Sequence, residues 1–204
     1  MEKKQELRIQ LQAGDALVVV DVQNDFLPGG ALGVSAGDRV IDPLNRAVLL
    51  FHQRGLPIFF SRDWHPTQHC SFKERNGPWP EHCVQNTPGA EFARDIMVPK
   101  EAIIISKGVL HDEEQYSTIY GRNSEWEELS RILDRLGIKR IFIGGLATDY
   151  CVLNTVLDAL KLGFEAYVFT DGICAVNVNP GDEENALKQM TESGGHLITT
   201  DRLA

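Results

Sequence analysis

Short apolar runs alternate with segments of helical period along almost the whole chain, and this alternation limits the fold more than any other feature. Ala16–Val20 (ALVVV) is a near-continuous apolar run, as expected of a strand covered on both faces. Apolar residues at 40, 41, 44, 48, 49 and 50 predict a helix over Asp38–Arg54, ended by Gly55. Strands are then expected at Pro57–Ser61, Ala102–Ser106, Arg140–Gly144, Ala166–Thr170 and Leu197–Thr199. Helices are expected at Ser124–Leu136, from Thr148 to Leu162, and at Pro180–Ser193, with Gly137 and Gly163 closing the first two. Such alternation implies an α/β fold: a parallel sheet with helices on both faces, in three Rossmann-like layers.

At 204 residues, without repeats, low-complexity tracts or a Ser/Gly-rich linker, residues 1–204 are expected to form one domain. The stretch from Arg62 to about Val98 lacks periodicity, and loops of that size inside a compact domain are usually functional. The net charge of −9 gives no general attraction to nucleic acid or to an anionic membrane. No apolar run is long enough to span a bilayer. The first residues (MEKKQELRIQLQAG) carry charges but no apolar core, unlike a secretory signal, so a cytoplasmic location is expected. The cysteines at 70, 83, 151 and 174 have no C-x-x-C spacing, which excludes a thioredoxin-type motif and a zinc ribbon. In a reducing compartment all four are expected to be free thiols.

Ligands of open parallel sheets bind beyond the carboxyl ends of the strands. The residues just past those ends are Asp21, then Asp63 and His65, then Lys107, then the segment from Gly144 to Cys151. A carboxylate, an Asp/His pair, an ammonium and a thiol are thus expected on one edge. Cys151 falls in the first turn of the helix that Thr148 would cap, where the unpaired N–H groups favour a thiolate and could hold an oxyanion. Position alone leaves Cys151 open to two readings, a nucleophile or a small buried side chain. Asp21, after a fully apolar strand, is either a proton acceptor for the thiol or a cap, and Lys107 is either its charge partner or a solvated lysine.

In an extended chain Asp63 and His65 project to the same side, and Pro66 keeps His65 out of helical geometry. With His82 they make one carboxylate and two imidazoles, a donor set that zinc, iron(II) or manganese accepts in catalytic sites. His69 is a candidate fourth ligand. The alternative is a set of surface histidines in a polar loop. Phe26, Trp64 and Trp79 flank the same edge, as packing or as walls for a flat ring.

Six motifs in order, ALVVVDVQNDFLPGGALGV, SRDWHPTQHCSF, GPWPEHCVQNTPGAEF, SKG, YS at 116–117 and GGLATDYCVLNTVLDAL, resemble the cysteine hydrolases that include nicotinamidases, pyrazinamidases and isochorismatase-like enzymes. The resemblance runs from Ala16 to the last strand. It implies a six-stranded parallel sheet and a catalytic triad at Asp21, Lys107 and Cys151. It implies metal ligands at Asp63, His65 and His82, with His69 matching a ligand present only in some members. Phe26 and Trp79 match the walls of the ring pocket, and Tyr116 matches the residue that closes it. The N–H groups of Ala147 and Cys151 match an oxyanion hole, with a cis peptide before Ala147. The intact metal region favours the nicotinamidase branch over the metal-free isochorismatase branch. The implied activity is hydrolysis of nicotinamide to nicotinate and ammonia through a Cys thioester, with pyrazinamide as a further substrate. One divalent ion, zinc first and iron or manganese next, is the implied cofactor, and self-association is possible in the family. The alternatives are a metal-free hydrolase of the same superfamily and a non-catalytic metal-binding domain.

Overall fold

The structure, a computed structural model, describes residues 8–204, so the first seven residues of the charged N-terminal stretch lie outside the described part. Six parallel strands form one sheet: β1 (Asp15–Val20), β2 (Ile58–Asp63), β3 (Ile103–Lys107), β4 (Arg140–Leu146), β5 (Glu165–Cys174) and β6 (His196–Ile198). Their order is β3-β2-β1-β4-β5-β6. The strand order reverses at β1, so the switch point of the sheet lies between β1 and β4.

Successive side chains of β1 serve opposite cores, as the pleat dictates. Leu17 and Val19 pack with Leu44, Ala47, Val48 and Phe51 of α1 (Ile41–Gln53). Ala16, Val18 and Val20 pack on the other face with Ile132 and Leu133 of α2 (Leu129–Arg135), Val156 of α3 (Leu153–Lys161) and Met190 of α4 (Asp182–Glu192). Both faces of β1 are therefore dry, which explains its unbroken apolar sequence. Among the described residues no helix is long and apolar enough to cross a membrane, and all four cysteines are free.

Several elements depart from the sequence expectation. The helix expected at Ser124 begins at Leu129. The side-chain oxygen of Asn123 takes the N–H groups of both Glu125 and Glu127, and Trp126 adopts a left-handed φ of 64°. Local side-chain bonding thus outcompetes the first helical turn. The helix expected from Thr148 begins as a π-helical turn, Thr148–Val152, and becomes α-helical only at Leu153. Strands β2 and β3 extend past Ser61 and Ser106, and their last residues, Asp63 and Lys107, are register partners.

Candidate active site

The sheet delivers its functional side chains from four adjacent tips, those of β3, β2, β1 and β4. Asp21 leaves β1 with a φ of 48°. Its N–H donates to the Ser61 carbonyl of β2 at 3.2 Å. Lys107, at the end of β3, reaches across β2. Its Nζ lies 2.8 Å from Asp21 Oδ2 and 3.3 Å from Cys151 Sγ, and it also meets Asp63 Oδ1. All four residues are buried.

Two glycines allow this close approach. A Cβ on Gly145, whose φ is 132°, would sit 2.0 Å from the Val20 carbonyl oxygen, so only glycine lets β4 lie against the end of β1. A Cβ on Gly108 would fall 2.4 Å from the His65 ring. Beyond Gly145 the Leu146–Ala147 peptide is cis, as the resemblance implies. The Ala147 carbonyl then accepts the N–H groups of Tyr150 and Val152, both at 3.1 Å, passing over that of Cys151. This double acceptance winds the π-helical turn and presents Sγ to the lysine.

The charges explain the protonation states. Burial opposes a charge on Lys107, but the Asp21 and Asp63 carboxylates outweigh it and hold the ammonium well above its ordinary range. Burial raises the Asp21 pKa, with Lys107 pulling against it. Burial also pushes the Cys151 thiol well up, and Lys107 only partly offsets this. Burial thus opposes the thiolate that a helix N-terminus favours. Full burial and two nearby carboxylates disfavour the anionic sulfur, so its attack calls for a base.

Asp63 faces two ways. One oxygen meets Lys107, and the other lies 3.5 Å from His65 Nε2 and 3.9 Å from His82 Nε2. Burial disfavours its charge, but Lys107 and His65 draw its pKa far down. His65 Nδ1 donates to the Gly108 carbonyl at 2.9 Å, and His82 Nδ1 to the Pro80 carbonyl at 2.8 Å. Each ring is thereby oriented with Nε2 toward Asp63, the arrangement of a metal-ligating histidine. The ligand atoms of Asp63, His65 and His82 lie within 4.8 Å of one another, and the set fits a divalent ion.

His69 stands apart from that set. Its ring stacks on His65 with centroids 4.2 Å apart. Its Nε2 donates to the Glu113 carbonyl at 3.1 Å, and its Nδ1 pairs with Ser71 Oγ at 2.8 Å. Both ring nitrogens are engaged away from Asp63.

A small cavity opens over Cys151, walled by Phe26, Trp79 and Tyr116 and floored by Asp63, His65 and Ala147. Trp79 Nε1 donates to the Tyr116 hydroxyl at 3.1 Å, and burial pushes that phenol up to about 12. Trp64 is not part of this wall. It lies under the Arg62 guanidinium, whose Cζ is 3.7 Å from the centroid of the indole ring. Sequence reasoning missed Tyr150, which packs edge-on against Trp79 with centroids 4.9 Å apart, and Glu114, an exposed carboxylate on the rim. Adjacency to Cys151 was a signal for Tyr150. Glu114 sits in a loop with no pattern to mark it.

Isochorismatase domains match this chain over residues 15–202, nearly its whole described length. The chain belongs to the isochorismatase family. Within it, a nicotinamidase of Escherichia coli is 38% identical over 90% of this chain and 94% of its own. The pyrazinamidase of Pyrococcus horikoshii, solved in complex with zinc, is 48% identical, covers 91% of this chain and 99% of its own, and superposes with a TM-score of 0.84. PnC1 from L. infantum, solved in complex with nicotinate, is 31% identical over 97% of this chain and 99% of its own, with a TM-score of 0.87.

Proposed function

We propose that this isochorismatase-family protein hydrolyses nicotinamide to nicotinate and ammonia through a thioester on Cys151, and that it also accepts pyrazinamide. The observation that carries the reading is the contact of Lys107 with Asp21, Asp63 and Cys151 at once, beside a three-donor cluster under an aromatic pocket. The nicotinamidase and pyrazinamidase relatives support the same assignment.

In this mechanism Asp21 takes the Cys151 proton and Lys107 holds the resulting negative charge. The sulfur attacks the carboxamide carbon. The N–H groups of Ala147 and Cys151 hold the oxyanion. Asp21 returns its proton to the nitrogen, ammonia leaves and the thioester forms. Asp21 then deprotonates a water that releases the acid. Phe26 and Trp79 clasp the ring. Asp63, His65 and His82 would hold one divalent ion, zinc in our assignment, which would supply a Lewis acid to orient the ring. His69 is assigned a supporting role behind His65. A cytoplasmic compartment belongs to the same reading.

The test is ammonia release from nicotinamide by the purified protein, with and without a chelator. Release that the chelator abolishes and zinc restores is expected. Release untouched by full metal removal would favour a metal-free hydrolase, and no release would reject the assignment.

A further inference from the structure

Behind Asp21, away from the pocket, lies a row of buried hydroxyls that the mechanism above does not use. Ser61 Oγ on β2 donates to Asp21 Oδ1 at 2.7 Å. Thr118 Oγ1 donates to Ser61 Oγ at 3.0 Å. Thr155 Oγ1 on α3 donates to Thr118 Oγ1 at 3.2 Å. The backbone N–H of Thr118 donates to Thr155 Oγ1 at 2.9 Å. Ser61, Thr118 and Thr155 are fully buried.

The row has a fixed direction, set at the carboxylate, which when ionised can only accept. Ser61 spends its one hydrogen on Asp21. Thr118 therefore donates to Ser61, and Thr155 to Thr118, while the Thr118 N–H fills a lone pair of Thr155. Chains of this kind polarise each member in turn. The Ser61 hydrogen is thus committed to Oδ1. The oxygen left to carry a transferred proton is Oδ2, the one 2.8 Å from Lys107.

We infer that Ser61, Thr118 and Thr155 are positioning residues that confine the working proton of Asp21 to Oδ2, from which it is delivered to the leaving nitrogen. The inference rests on the amide hydrolysis proposed above. In the step concerned the S–H bond of Cys151 breaks and an O–H bond forms at Oδ2. The sulfur then bonds to the carbonyl carbon. The C–N bond breaks with its electron pair on nitrogen, which takes the proton from Oδ2 and leaves as ammonia. Without the Ser61 hydrogen, Oδ1 becomes the more basic oxygen, since Oδ2 still faces the Lys107 ammonium, and most of the enzyme carries the proton on the wrong side. The row also ties Asp21 to the helix after Cys151 and to the turn after Tyr116, so base, nucleophile and pocket wall keep a common register.

The signature of such a role is dependence on the leaving group. An amide nitrogen must be protonated to depart, whereas methanethiolate departs unaided. The experiment compares single-turnover acylation of metal-loaded wild type, Ser61→Ala, Thr118→Val and Thr118→Ser by nicotinamide and by S-methyl pyridine-3-carbothioate. With nicotinamide, Ser61→Ala is expected to be slower by about tenfold or more, with KM little changed. With the thioester the same variant stays within about threefold of wild type, because no proton is delivered to the leaving group. Thr118→Val is expected to follow Ser61→Ala in kind, and Thr118→Ser, which keeps the hydroxyl, to recover the wild-type amide rate. Equal losses on both substrates, no loss on the amide, or failure of Thr118→Ser to restore the rate would overturn the inference. Absence of amide turnover in the wild type would overturn the proposed function, and this inference with it. Wild-type turnover with an unaffected Ser61→Ala would overturn the inference alone.

Discussion

Asp63 and Lys107 end adjacent strands as register partners, and their side chains meet in the interior. That contact joins two sites that the sequence presents separately. The same carboxylate that braces the lysine also faces His65 and His82, so the charge of the metal cluster and that of the triad are coupled through one residue.

The first consequence concerns stability. Replacing Lys107 with Met leaves the Asp21 and Asp63 carboxylates buried with their shared cation gone. Removing one partner from a buried ionic cluster costs about 3–5 kcal/mol. Denaturant unfolding of metal-free Lys107→Met should show a loss of that order, together with lost turnover. A variant as stable as wild type would mean that the ammonium does not neutralise the pair.

Metal binding should stabilise the fold. An ion that binds only the native state adds about 2.7 kcal/mol at a free concentration a hundred times its Kd. Zinc added to chelated protein should therefore raise Tm, and the rise should vanish in His82→Ala. An unchanged Tm would count against Asp63, His65 and His82 as an ion-binding set.

Gln23 supports that set from behind. Its side chain donates to the Asp63 carbonyl at 2.8 Å and to the Ala90 carbonyl at 2.9 Å, and accepts the Asp63 N–H at 2.8 Å. Gln23→Leu should weaken metal binding by about 10–100-fold, the usual cost of losing an outer support. Isothermal titration with zinc would show it, and unchanged affinity would reduce Gln23 to a packing role.

Acid should destabilise the protein partly through His69. Burial, with a smaller effect of His65, lowers its pKa from the ordinary 6.5 to about 4. Between those values the unfolded chain binds the extra proton and the folded chain does not, so stability falls as pH drops from 6.5 toward 4. His69→Gln should lack this portion of the decline. Superimposable pH–stability curves for the two proteins would contradict the assignment of a neutral, buried ring.

The architecture was legible because its signals are local. ALVVV, PIFFS and RIFIG are apolar on both faces, and each strand-sized run lies next to a helical pattern. The edge carrying Asp21, Lys107 and Cys151 followed from topology alone. What stayed hidden depends on contacts between residues distant in the chain. Nothing near Ser61 announces that it bonds to Asp21, forty residues earlier, or that Thr118 and Thr155 stand behind it. The depth at which Cys151 is buried was hidden for the same reason, since burial depends on the whole fold, whereas a helix start can be read in a few residues.

The central claim is that the sulfur of Cys151 forms the bond to substrate, and the most direct measurement is ammonia release by Cys151→Ala beside wild type, at matched metal content. We expect the variant to keep its fold and its metal and to lose turnover by about a thousandfold or more. A Cys151→Ala protein that retains most of the wild-type rate would show that nicotinamide is hydrolysed by some other route.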